Sequence, residues 1–262
     1  MIYFVCALEA EARSIIEFYN LSRDYSLPYK LYVGTEAILL ISGIGSENTL
    51  TSLSAILGYK KPKKGDLLVN LGICGAPSKY PIGTPILVHK IYYNNRIFYP
   101  DILFVHPFIE TELTTLNQPQ SIQYSTPVDM EAGAIFVAAS KFFNLHEMIF
   151  IKIVSDHFDP SSITKEKTID LLGQQFNNIN SVVTSVKKLF YTKPLFTNDE
   201  LFLINQWKEI FTLTQQRQFE DALKFFRFKN GQIPLMLPLI PEKLSKHERN
   251  RIHADLVSSF TH

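Results

Sequence analysis

The chain has 262 residues, enough to bury a full core as one large domain or as one domain with a small appendage. Its 26 basic and 25 acidic side chains nearly cancel to net +1, which excludes a surface-wide attraction to nucleic acid or membrane. No apolar stretch approaches the ~20 residues that cross a bilayer, and the two cysteines, Cys6 and Cys74, give neither a disulfide framework nor a zinc spacing.

The first residues have no basic n-region, so no signal peptide is expected, and the two cysteines read as buried hydrophobes in a reducing cytoplasm, the expected location. They read as an apolar strand over 2–7, followed at once by a helix over 9–19. A second strand is predicted at 37–42 with a helix at 46–57 behind it, and further strands at 67–71 and 84–93. Asn94-Asn95 joins the last of these to a short strand at 96–99, a hairpin that makes the sheet mixed. A helix over 131–143, a strand over 148–154 and a long helix over 165–190 complete this part. Several strands are apolar throughout, as central strands covered on both faces are. The βα order predicts an α/β protein, a three-layer α/β/α fold with a mixed central sheet.

After Thr192 the character changes. Lys193-Pro194 breaks the long helix, and residues 198–228 are helical and rich in Phe, Gln and Lys. Pro234, Pro238 and Pro241 punctuate the next segment, and a charged helix is predicted over 243–260. The expected division is a core domain over 1–192 and a small helical C-terminal appendage over 193–262, its apolar faces packed on the core or on a partner.

Residues able to do chemistry gather at strand ends, where an α/β sheet opens its ligand crevice. Glu9 and Glu11 fall in the first turn of the first helix. There they either offset the helix dipole, worth ~0.3–1 kcal/mol, or line a site. SGIGSEN sets Gly43 and Gly45 between a strand and a helix, where backbone N–H groups can face an anion or hydroxyl, although a plain tight turn also explains a lone Gly-x-Gly. NLGICGAP repeats the device with Gly72 and Gly75. VDMEAGA and IVSDH then place Glu131 and Asp156 at the ends of apolar runs. Asp129, two residues before Glu131, is expected to point away from the ligand side. His157 and the terminal KLSKHERNRIH read as solvated polar groups, His247 and His253 lack a zinc spacing, and Cys74 lacks a paired base.

Taken in order, ALEAEA, SGIGSEN, NLGICGA, VDMEAGA and IVSDH resemble the purine nucleoside phosphorylase superfamily, and within it the 5′-methylthioadenosine/S-adenosylhomocysteine nucleosidases. The resemblance covers roughly residues 1–190. It implies hydrolysis of the N-glycosidic bond of a small-molecule purine nucleoside, with neither metal nor organic cofactor; the charge balance adds that no nucleic-acid or membrane partner is expected. A homodimer is also implied, because such relatives often complete the pocket from a neighbouring subunit. By the same resemblance Glu11 directs the attacking water, Glu131 holds the ribose hydroxyls and Met130 packs on the sugar. Asp156 protonates the purine at N7, Ser155 positions it, and Gly43, Gly45, Gly72 and Gly75 lie against the substrate.

Some positions depart from that pattern. Only about 35 residues separate the Asn94-Asn95 hairpin from Met130, so Tyr124 or Phe104 is left to supply a ring that stacks on the base. Ile73 replaces a serine, and Lys152 an arginine. The first 95 residues hold only Arg13 and Arg23, neither in a glycine-rich loop, which counts against a phosphate site. Two alternatives therefore stay beside the hydrolase: a phosphate-dependent purine nucleoside phosphorylase, and a degenerate member that binds a nucleoside without turnover.

Overall fold

A computed structural model describes residues 1–119, 121–190, 195–230 and 244–261. The chain divides into two units, Met1–Tyr191 and Thr192–His262. In chain order the first unit runs β1 (Ile2–Cys6), α1 (Glu9–Phe18), β2 (Ser22–Asp24), β3 (Lys30–Val33), β4 (Ala37–Ile41), α2 (Ser46–Tyr59) and β5 (Leu67–Gly75). It continues through β6 (Pro85–Tyr93), β7 (Arg96–Phe98), β8 (Ile109–Thr115), β9 (Val128–Asp129), α3 (Ala132–Ala139), β10 (Met148–Asp156) and α4 (Lys165–Phe190).

Among the described residues the strands form one mixed sheet. β1 lies between β4 and β5, parallel to both, and β5 continues in parallel to β10. β10 meets β6 antiparallel, β6 and β8 pair in parallel, as do β8 and β9, and β9 returns to β5 where Val128 faces Gly75. The pairing thus closes a ring through β5, β10, β6, β8 and β9, from which β1, β4, β3 and β2 extend as an arm. The helices cover both faces, α2 and α3 on one and α1 and α4 on the other. Along β1 the side chains alternate: Tyr3 and Val5 join the core under α2 and α3, whereas Ile2, Phe4 and Cys6 join the core under α1 and α4. This is the expected three-layer α/β/α architecture.

The hairpin forms as predicted. Asn94 and Asn95 take φ of 48° and 57°, the left-handed pair a two-residue turn needs to match strand twist. The strands β2, β3, β8 and β9 are not predicted. In β8, IETELTT, the inward positions are Thr111, Leu113 and Thr115, so threonine hides the two-residue hydrophobic period.

The second unit holds α5 (Asn198–Ile210), α6 (Leu213–Asn230) and α7 (Lys246–Thr261). The segment expected as helical over 198–228 is broken at Phe211, the C-cap of α5. Thr197 caps α5 by accepting from the Glu200 N–H. Trp207, Phe211, Phe219, Leu223 and Phe260 make its core, and Arg227 grips the buried Glu200 with two parallel bonds of 3.1 and 2.9 Å. The Lys193-Pro194 break, Pro234, Pro238, Pro241 and the predicted start of the last helix at 243 lie outside the described residues. No described helix is long and apolar enough to cross a membrane.

Candidate functional site

The carboxyl ends of β1, β5 and β10 converge on a hollow of about 250 Å³ whose walls include Glu11, Gly75, Met130, Glu131, Ser155 and Asp156. Each acid arrives from a different element.

Glu11 sits in the first turn of α1, and its side chain folds back over the strand ends. Oε2 accepts from the backbone N–H of Ala7 (2.8 Å) and Leu8 (3.0 Å), and Oε1 accepts from the N–H of Ile73 (3.0 Å). The carboxylate lies so close to β5 that a Cβ at Gly72 would stand 2.8 Å from Oε1. Gly72 is therefore a seat for Glu11 rather than a wall of the hollow. Burial pushes the Glu11 carboxyl up, against the pull of Lys152 and of the three N–H donors. Glu9, two residues earlier, is exposed and paired with Lys30 at 2.5 Å, outside the hollow.

Glu131 is the N-cap of α3 and is buried. Its Oε1 accepts from the Gly45 N–H at 2.8 Å, while Ser46 Oγ donates to the Met130 carbonyl at 3.1 Å. Gly43 and Gly45 have φ of 82° and 93°, so the loop needs glycine for its backbone path. The N–H expected to face a ligand is spent on Glu131, and of the predicted glycines only Gly75 lines the hollow. Gly43 instead lines a wider groove that shares Ala7, Leu8, Ile44 and Ile163 with the hollow. Burial raises the Glu131 carboxyl to about 7, helped by the Asp129 charge and opposed by Lys152 and the Gly45 N–H.

At the end of β10 the register with β5 slips between Val154 and Asp156. This bulge lets neighbouring Ser155 and Asp156, which a regular strand would send to opposite faces, both line the hollow. Ser155 Oγ lies 2.7 Å from Asp156 Oδ2 and 3.1 Å from the Cys74 carbonyl oxygen, and the Asp159 N–H donates to Asp156 Oδ1 at 2.8 Å. His157 turns aside, its Nδ1 2.9 Å from the Ala76 carbonyl.

Two residues take unexpected parts. Asp129 borders the hollow, although its carboxylate is taken up by neighbouring donors. Oδ1 accepts from Thr115 Oγ1 (2.7 Å), and Oδ2 accepts from the Ala132 N–H (2.8 Å) and Lys152 Nζ (2.8 Å). Lys152 is 2% exposed and, among the described residues, the only buried lysine or arginine. Burial works against its charge, but Asp129, Glu131 and Glu11 hold it above the ordinary lysine value. The sequence signal for it was a lysine inside the apolar run IKIV, which makes sense only with acids facing it. Cys74 also lines the hollow, and burial pushes its thiol up, which leaves it a poor nucleophile. Phe104 packs into the core beneath α1 and α4, and Tyr124 contacts Phe158, which does line the hollow.

No protein-family model matches the sequence, and no curated protein sequence matches it. Solved structures do. The Streptococcus pneumoniae MTA/SAH nucleosidase in complex with 8-aminoadenine aligns with a TM-score of 0.59 at 18% identity, over 70% of this chain and 98% of that one. A Helicobacter pylori MTAN mutant with 5′-methylthioadenosine in its active site gives 0.58 at 12% identity, over 70% and 98%. The Arabidopsis thaliana 5′-methylthioadenosine nucleosidase gives 0.56 at 20%, over 74% and 96%. The fold is that of the MTA/SAH nucleosidases, and nearly the whole of each such chain is matched by part of this one.

Proposed function

We propose that the hollow hydrolyses the N-glycosidic bond of a purine nucleoside of the methylthioadenosine or adenosylhomocysteine type. One observation carries this reading: Glu11, Glu131 and Asp156, from three separate elements, line one hollow in a fold of nucleosidase type. A purine is a poor leaving group until N7 is protonated, so an acid must lie at the base. Asp156 takes that role. Ser155 Oγ donates to Asp156 Oδ2 at 2.7 Å and the Asp159 N–H donates to Oδ1 at 2.8 Å, contacts that fix the orientation of this carboxyl group.

As the bond to N9 breaks, the ribosyl group gathers positive charge, which buried carboxylates favour. Glu131, with one oxygen fixed by Gly45, offers the other to the ribose hydroxyls, and Met130 packs on the sugar. A carboxylate has about four acceptor positions. Three on Glu11 are used by the backbone, and the last takes the proton of the water that bonds to C1′. The proton on Asp156 leaves with the purine. Among the described lining residues there is no arginine or lysine, which favours water over phosphate. Arg13 pairs with Glu17 on the surface, and Arg23 lies against the rings of Tyr25 and Tyr32.

In this reading residues 1–192 are the nucleosidase-like domain and 193–262 an extension. A cytoplasmic homodimer belongs to the same proposal, with sedimentation velocity as its check. The test of activity is purine release from methylthioadenosine, adenosylhomocysteine, adenosine and inosine in phosphate-free buffer. Asp156→Asn should slow release by about 10²–10⁴-fold; equal rates for mutant and wild type would refute the assignment. A second reading, binding without turnover, draws on the three backbone bonds that tie Glu11 down. It predicts thermal stabilisation by nucleoside with no product.

A further inference from the structure

We propose that Phe158 is the stacking wall of the base subsite and so determines specificity for a flat aromatic leaving group; the inference rests on the nucleosidase reading above. Phe158 follows Asp156 by two residues and has φ of 64°. A bulky side chain rarely adopts this region, and such strain persists where the surroundings impose it, typically at ligand clamps. Here the loop is pinned from both sides. The Asp159 N–H donates to Asp156 Oδ1 at 2.8 Å, Ser161 Oγ donates to Asp159 Oδ1 at 2.5 Å, and His157 meets the Ala76 carbonyl at 2.9 Å. Filling a core would not by itself require a left-handed backbone.

The ring has a place that the site can use. Phe158 is 7% exposed and is the one aromatic among the described residues lining the hollow. It shares the space over Gly75 with the acid. A Cβ built on Gly75 would meet Asp156 Oδ1 at 3.2 Å, Val128 Cγ2 at 3.5 Å and Phe158 Cδ1 at 3.6 Å. Carboxylate and ring therefore sit side by side above one strand residue. A planar group whose edge bonds to Asp156 meets this ring. Tyr124 backs it, with ring centroids 6.1 Å apart at 54°. The glycine at position 75 leaves room for the acid, since a Cβ there would press on Asp156 Oδ1 while meeting the ring at an ordinary contact distance.

Stacking on an aromatic side chain strengthens base binding by roughly tenfold to a hundredfold. The probe is adenine, followed by calorimetry and by the proton NMR of its C2 and C8 hydrogens, with Phe158→Leu and Phe158→Tyr compared against wild type. Bound adenine should show upfield ring-current shifts in the wild type. Phe158→Leu should lose those shifts and bind about tenfold or more weakly, and Phe158→Tyr should keep both. If the wild type binds adenine without an upfield shift, or Phe158→Leu binds as tightly, Phe158 is not the wall and the nucleosidase reading stands. If the wild type neither binds adenine nor releases purine, both readings fall. The wild-type spectrum decides even if the leucine variant does not fold.

Discussion

At their amino ends, β1, β5 and β10 meet acids that are fully committed to holding the fold. Asp66 accepts from the Met1 ammonium (2.6 Å), Lys187 Nζ (3.3 Å) and the Lys63 N–H (2.8 Å). Glu147 accepts from the Gly65 N–H and from the backbone and side-chain nitrogens of Asn144. At the carboxyl ends of the same strands, Glu11, Asp129 and Glu131 act on Lys152 and, with Asp156, border one hollow. Burial opposes the Asp66 charge, but its cations and the Lys63 N–H bring its carboxyl below the ordinary value, whereas burial leaves Glu11 and Glu131 above it. A protein built only for stability pairs its buried acids. Excess carboxylate at one end of a sheet costs stability and is retained where a ligand supplies the missing partners.

The largest effect that would sharpen this contrast is removal of the shared cation. Lys152→Met leaves buried acids uncompensated and should cost about 3–5 kcal/mol in urea unfolding. Lys152→Arg should keep most of it. A loss below ~1 kcal/mol for the methionine variant would mean that the acids do not depend on Lys152.

Next in size is the pH dependence of Glu131. Its folded value of about 7 lies above the unfolded one near ~4.3. Between the two, the folded chain keeps a proton that the unfolded chain releases, so this group's contribution falls as pH rises through the window. The loss is roughly 4 kcal/mol in all and is complete above about pH 7. Wild type should therefore lose more stability from pH 5 to pH 8 than Glu131→Gln does. Nucleoside affinity should move the other way, rising as Glu131 ionises. Equal pH profiles for the two proteins would remove Glu131 from the account.

The smallest effect belongs to the opposite end of the sheet. Asp66→Asn weakens the contacts of a partly buried lysine and the terminal ammonium, and should cost about 1 kcal/mol while leaving turnover unchanged. A fall in turnover at constant stability would break the division between the two ends.

Glu131 and Asp156 were legible because a carboxylate after an apolar run is costly anywhere but a strand end, whereas Asp129, which also borders the hollow, was not. The mixed sheet followed from the same runs and from Asn94-Asn95. What stayed hidden depends on contacts between distant segments. Lys152 looks like one polar residue in a strand until Asp129, Glu131 and Glu11 surround it. Gly45 reads as a ligand-facing loop, yet its N–H meets an acid 86 residues away. Phe158 carries no signal at all, because neither the slip between Val154 and Asp156 nor a positive φ is encoded in residue type. The strand β8 escaped because its inward threonines, Thr111 and Thr115, are polar and find their hydrogen-bond partners only in the folded interior, on Tyr80 and Asp129.

The most direct measurement is hydrolysis of methylthioadenosine in ¹⁸O-labelled water without phosphate, with mass analysis of the released sugar. The account predicts free adenine and one ¹⁸O atom at C1 of the sugar. Release that occurs only when phosphate is added, or no release from any purine nucleoside, would contradict it.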